Sequence, residues 1–294
     1  MGTMELPLVV GVDGSESSLR AVDWAADEAV LHGVPLRLVN ASMWERYEGA
    51  ALAQELGRPS GRVMAENIVG TAAERARRRD PDLKIQTDIL PEDTVSALLS
   101  EGRNASALVT GSRGRSGLAE VMLGSVSLAI AARADCPVFV IRGNHDPQSG
   151  KHRRIVLGVD EPPGGSAAVR FAFREAERRR AVLHAIRAWR CPAHEAVDHA
   201  RDAGDAARYH KSQAAEILEA ALREAVADHP TLEVHRATAE GPARMVLMNA
   251  SAAADLLVVG AHRRHGHFGL QLGRVAHTVL HHSMCPVAVV PQRA

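Results

Sequence analysis

"LVVGVDGSESSLRAVDWAADEA", residues 8–29, and "IVLGVDEPPGGSAAVRFAFREA", residues 155–176, open the two halves of one chain in the same way. Gly11, Val12 and Asp13 fall on Gly158, Val159 and Asp160, and Trp24 falls on Phe171. Further along, "ALVTGSRG" (107–114) matches "LLVVGAHR" (256–263), Gly124 matches Gly273, and "CPVFV" (136–140) matches "CPVAV" (285–289). Self-similarity sustained over a whole half, with only about two residues of net insertion, is a tandem duplication. The polar stretch "GNHDPQSGKH" (143–152), with Pro147 and Gly150, reads as the linker. The expected domains are therefore 1–143 and 152–294. A chain of 294 residues suits that division, since a domain takes about 100–200.

Within a half, apolar runs of strand length alternate with segments of helical period. In the first half "LPLVVGV" is a buried-strand run, and "SLRAVDWAADEAVLHG" has apolar residues at helical spacing and a closing glycine. "PLRLVNA", "LKIQTDIL", "ALVTG" and "PVFVIR" are the further strands; "RVMAENIVGTAAERARRR", "TVSALLSEGR" and "SVSLAIAARA" are the further helices. Strands alternating with helices pair in parallel, and right-handed crossovers cover both faces of the sheet. The expected fold is α/β, two tandem doubly wound parallel five-stranded sheets. Each half ends in a "CPV" strand with no later helix, so these last strands are expected to pair with another repeat rather than stand as bare apolar edges.

Composition narrows the function. Lys and Arg number 35 and Asp and Glu 35, a balance that argues against a general nucleic-acid binder. No apolar run approaches a membrane span, and the N-terminal "MGTMELPLVVGVDGS" lacks a basic region followed by an apolar stretch and a cleavage site. The three cysteines, Cys136, Cys191 and Cys285, form no CxxC or zinc spacing. A cytoplasmic protein bound to neither membrane nor nucleic acid is expected.

"GSRGRSGLAEVMLGSVS" (111–127) places Gly111, Gly114, Gly117 and Gly124 between a strand and a helix. Glycine is entropically costly, so such a run suggests close approach of a ligand to the backbone. In an open α/β sheet ligands bind outside the carboxyl ends of the strands, where the topology reverses. "GVDGS" after strand one, "NAS" after strand two and the glycine-rich loop should meet there. Exposed N–H groups of the loop and of the helix after Gly124 favour phosphate, and Ser125 can cap that helix and offer its hydroxyl. A carboxylate such as Asp13 would repel phosphate but suits sugar hydroxyls or a bridging Mg²⁺. The plainer reading of Asp13 is a turn or cap residue ahead of "SESSLR".

These residues resemble the universal stress proteins, in particular the tandem, ATP-binding, actinobacterial type with the adenine nucleotide alpha hydrolase-like fold. Gly111, Gly114, Gly124 and Ser125 fit that branch's pattern of Gly, two residues, Gly, nine residues, Gly, Ser or Thr. The strand-one "GVDGS", the "GS…CPV" ending and the tandem layout match as well. The resemblance implies ATP, with Mg²⁺, as the ligand. Asp13, beside Gly11 and Val12, would hold the ribose, and backbone around Ala41 would meet the adenine edge. Gly111, Ser112, Arg113, Gly114, Arg115, Ser116 and Gly117, with Gly124, Ser125 and Val126, would hold the phosphates. It also implies a homodimer joined through edge strands and a stress-response or regulatory role.

The second half keeps Gly158, Asp160, Ala188, Gly260 and Gly273, but has Arg263 and Arg274 where the first has Gly114 and Ser125. Two guanidiniums either add bidentate phosphate contacts or fill the space that glycine left open. His262, His265 and His267 form an "HxxHxH" run in a loop without a carboxylate, which reads as solvated rather than metal-binding. The basic runs 74–79 and 176–180 end helices, where cations complement the macrodipole. Neither GxxxxGK[ST] nor GxSxG is present, so no dedicated enzyme is indicated. An ATP-hydrolysing or ligase-type enzyme using the same pocket and a nucleotide-free interaction scaffold are the alternative readings.

Overall fold

A computed structural model describes residues 5–43, 60–112, 123–142, 152–160, 166–191, 203–261, 263–266 and 269–292. The chain divides into two units, Met1–Gln148 and Ser149–Ala294.

In unit one the elements run β1 (Leu8–Gly11), α1 (Glu16–His32), β2 (Leu36–Ala41), α2 (Ser60–Arg79), β3 (Ile85–Leu90), α3 (Thr94–Gly102), β4 (Ala107–Gly111), α4 (Ser125–Arg133) and β5 (Val138–Ile141). The strand order is β3-β2-β1-β4-β5, and every one of these pairings is parallel. β1 is central and nearly solvent-free at Leu8, Val9 and Val10, as a strand covered on both faces must be. Helices α1 and α2 pack together, as do α3 and α4, the arrangement that right-handed crossovers produce in a parallel sheet.

Local chemistry sets the bounds of α1. Ser15 caps it by accepting the Ser18 N–H, and Gly33 ends it with φ 69°, a left-handed turn in which its N–H reaches the carbonyls of Ala29 and Val30. Its apolar stripe of Ala21, Val22, Ala25 and Ala29 is fully buried, and the Trp24 ring lies 4.7 Å from that of Phe139. On its other side the basic run of α2 is used for packing. Arg75 forms two bonds to Asp23, at 2.8 and 2.7 Å, and Arg79 two to Asp27, both 2.7 Å. Both donors and both acceptors are four residues apart, so the pairs stack as a ladder between the helices. The Asp23 carboxylate raises the Arg75 guanidinium above its ordinary range.

Unit two repeats the plan, with β6 (Arg154–Gly158), α5 (Ser166–Arg179), β7 (Val182–Trp189), α6 (Ala203–Asp228), β8 (Val234–Glu240), α7 (Ala243–Ser251), β9 (Leu256–Ala261), β10 (Arg263–Gly266), β11 (Gly269–Leu272), α8 (Arg274–His282) and β12 (Val287–Pro291). Its sheet has the order β12-β9-β6-β7-β8, again parallel throughout. One difference from the sequence reading lies in the stretch taken for a loop. There β10 and β11 form an antiparallel ribbon in which Arg263 pairs with Leu272 and His265 with Leu270. Gly266 and Gly269 are the last pair of that ribbon. His262 and His267 lie outside the described residues.

Cys136 and Cys285 are buried, and burial pushes the Cys285 thiol up to about 12, as expected of a packing residue. His184 on β7 stands opposite His235 on β8, ring centroids 4.7 Å apart. Burial, and then the charges of Arg154 and His235, lower its pKa below the ordinary 6.5. An unfolded chain therefore holds this proton where the folded one does not, and stability falls as pH drops through about 6.5. His184→Gln should flatten the loss in urea midpoint between pH 8 and pH 5.5. An unchanged loss in the variant would remove His184 from the account.

Candidate functional site

In each sheet the topology reverses at the first strand. β1 lies between β2 and β4, so crossovers leave its neighbours toward opposite faces and part at their carboxyl ends. Unit one has a cavity of about 310 Å³ at that place. Of the residues singled out from sequence, Gly11, Val12, Asp13, Ala41, Gly111, Gly124, Ser125 and Val126 line it. Arg113, Gly114, Arg115, Ser116 and Gly117 lie outside the described residues.

Asp13 serves the turn and faces the cavity at once. Its Oδ1 accepts the Ser15 N–H at 2.9 Å, beside Gly14 at φ 80°. Behind it the buried Asn40 donates Nδ2–H to the Val12 carbonyl at 2.7 Å, holding the end of β1 to β2. Thr94, at the start of α3, donates its hydroxyl to the Ala41 carbonyl at 2.8 Å and also lines the cavity. Gly111 meets α1 so closely that a Cβ would stand 2.6 Å from the Ser17 carbonyl oxygen. Its own carbonyl accepts the Ser127 hydroxyl at 2.8 Å. Ser112 is buried, and its carbonyl accepts the Gly124 N–H at 2.9 Å, closing the base of the loop.

One expectation about α4 is corrected. Its N-cap is Gly124, at φ −64° and ψ 145°, with no side-chain capping bond. Ser125 is already the first helical residue, so its hydroxyl is not the cap. Among the described residues no side-chain acceptor caps the helix end that borders the cavity. The sequence does not single out Thr94 and Ser127, because each reads there as an ordinary helix residue, and it offers Asn40 only as part of the "NAS" segment. Their roles come from carbonyls far along the chain.

Unit two has a matching cavity of about 360 Å³, lined by Gly158, Asp160, Ala188, Gly260, Gly273 and Arg274. Gly158 packs under Leu247 as Gly11 packs under Leu98; a Cβ would meet the leucines at 2.7 and 2.8 Å. Of Arg263 only the backbone, in β10, is described. The polar anchors of unit one are replaced: Ala243, Val259 and Ala276 stand where Thr94, Thr110 and Ser127 stood. Arg187 takes the position of Asn40. Its Nη1 donates to the Val159 carbonyl at 3.3 Å and to Asp160 Oδ1 at 3.5 Å. Among the described residues the charged lining of the first cavity is Asp13, and that of the second is Asp160, Arg187 and Arg274.

No helix among the described residues is long and apolar enough to cross a membrane. The model of the universal stress protein family matches residues 6–142 and again 151–291. A universal stress protein of Mycobacterium tuberculosis is 35% identical over 295 residues, covering 97% of this chain and 97% of that one. Another, from Mycolicibacterium smegmatis, is 30% identical over 300 residues and 98% of each chain. The crystal structure of a universal stress protein from Archaeoglobus fulgidus superposes with a TM-score of 0.70 over 98% of each chain, at 18% identity, a likeness of fold. The chain belongs to the universal stress protein family and carries the family's domain twice.

Proposed function

We propose that unit one binds ATP in the crevice at the end of β1 and that the protein acts in the cytoplasm as a nucleotide-dependent stress-response regulator. The observation that carries this reading is the cavity at the carboxyl ends of the strands, where Gly11, Asp13, Ala41 and Gly111 come together with the start of α4 at Gly124 and Ser125. Backbone N–H groups at such a helix start suit phosphate. Asp13 is then the acceptor for ribose hydroxyls, the backbone at Ala41 meets the adenine edge, and the segment 111–117 with Ser125 and Val126 holds the phosphates. A Mg²⁺ ion would draw its ligands chiefly from phosphate oxygens and water, as this hard cation does in nucleotide sites. Bound nucleotide would act by favouring one of two conformations through differential affinity.

Mass spectrometry of ligand released from the purified protein, followed by calorimetric titration with ATP, tests the reading. Adenine nucleotide is expected in the released fraction, and ATP is expected to bind with Asp13-dependent affinity. A protein that neither carries nor takes up adenine nucleotide would overturn it. The resemblance to tandem family members also supports a homodimer through edge strands, which sedimentation would show as twice the chain mass of 31.4 kDa.

A further inference from the structure

The two crevices share the glycines that line them, their aspartate and their leucine packing, yet one position at the end of the second strand differs in kind. In unit one Asn40 donates to the Val12 carbonyl at 2.7 Å, is buried, and is not among the residues lining the cavity. In unit two Arg187 makes the same bond, to the Val159 carbonyl at 3.3 Å, but its longer side chain continues into the lining of the cavity. There the guanidinium meets Asp160 Oδ1 at 3.5 Å. Only 12% of the Arg187 side chain is exposed, against 56% for Asp160, so the cation is held in the wall while the carboxylate is the more open partner.

We propose that Arg187 is the specificity-determining residue that makes the second crevice reject nucleosides: it takes the ribose end and engages the carboxylate that a sugar diol would need. This rests on the reading of unit one as the nucleotide site. A ribose entering unit two must displace a charge-assisted contact to reach Asp160, and it must do so beside a bulky guanidinium rather than a tied-back amide. With Arg274 also on the lining, the second crevice is left suited to compact phosphoanions that need no sugar contact. The distinction is one of side chain, since Gly158, Asp160 and Gly260 are all retained.

The test is calorimetric titration of the full chain with ATP, comparing the unaltered protein with Arg187→Asn, Arg187→Lys and Asn40→Arg. Asparagine at 187 keeps a donor for the Val159 carbonyl, so folding should be preserved, which circular dichroism checks. Arg187→Asn should gain one ATP equivalent per chain, with affinity at least tenfold above that of the same site in the unaltered protein. Arg187→Lys retains the cation and should not show that gain. Asn40→Arg should lose the equivalent assigned to unit one. If folded Arg187→Asn gains nothing, or if the unaltered protein already binds two equivalents, the proposal is overturned. If the unaltered protein binds none and Arg187→Asn binds one, the role of Arg187 stands while the reading of unit one falls.

Discussion

Gly111→Ala is expected to destabilise unit one by about 2 kcal/mol, the range for forcing an extra carbon into a packed site, and to abolish its ATP binding. The added Cβ would lie 2.6 Å from both the carbonyl oxygen and the hydroxyl oxygen of Ser17 and 2.7 Å from its carbonyl carbon. Two of those atoms are backbone of α1, so relief requires moving the helix or the end of β4 rather than turning a side chain. Either movement also disturbs the Ser127 hydroxyl bond to the Gly111 carbonyl, which ties α4 to the same strand end. Gly11→Ala supplies the internal control. Its Cβ would come within 2.8 Å of a Leu98 methyl, the far end of a flexible side chain, and should cost much less. Urea unfolding of the two variants, with ATP titration of each, checks the contrast. Equal midpoints would show that the α1–β4 contact yields easily and that Gly111 is not required by packing.

The second large effect is expected on binding rather than on folding. Gly114→Glu places a carboxylate and a Cβ in the segment proposed to cradle phosphate, and ATP affinity should fall by more than tenfold, about 1.4 kcal/mol or more. Like-charge repulsion and lost backbone approach act together there. Asp13→Ala should cost less, because the sugar contact alone is removed while the phosphate end is untouched. Asp13 also accepts the Ser15 N–H at 2.9 Å, so this variant needs a stability measurement beside the titration. Calorimetry showing unchanged affinity in a folded Gly114→Glu protein would reject the assignment of the glycine-rich segment to phosphate.

Much of the site was legible because glycines and strand ends carry local signals. The run "ALVTG" ends a strand of full burial at Gly111, and "GVDGS" ends another beside Asp13, so their meeting at the reversal point followed from topology alone. The cap of α4 lies one position earlier than the sequence suggests. Ser125 has the chemistry of an N-cap, but the helix begins at Ser125 and leaves Gly124 to close onto the Ser112 carbonyl. The ribbon β10–β11 has no strand signal in sequence because "RRHG" and "GLQL" are short, contain glycine and have no β-branched residue, and it is the cross-pairing of the two segments that makes them strands. The basic run of α2 looked like a helix-end charge cluster, whereas Arg75 and Arg79 find Asp23 and Asp27 on a helix some fifty residues earlier in the chain.

By itself the sequence determined what depends on neighbours along the chain. The duplication is visible as repeated residues, and the alternation of strand and helix follows from apolar periods of two kinds. Ser15 and Gly33 bound α1 through bonds within one turn. Tertiary structure decided which side chains converge, because that depends on where parallel crossovers bring strand ends separated by tens of residues. Asn40 reaches the Val12 carbonyl only because β2 pairs beside β1, with Gly11 opposite Val39. Arg187 reaches Val159 and Asp160 through the same register, with Gly158 opposite Ile186. The exchange of amide for guanidinium, unremarkable in either strand as written, thereby adds a cation to the lining of the second crevice beside Arg274, since a cation largely shielded from water acts on whatever the fold places within hydrogen-bond reach.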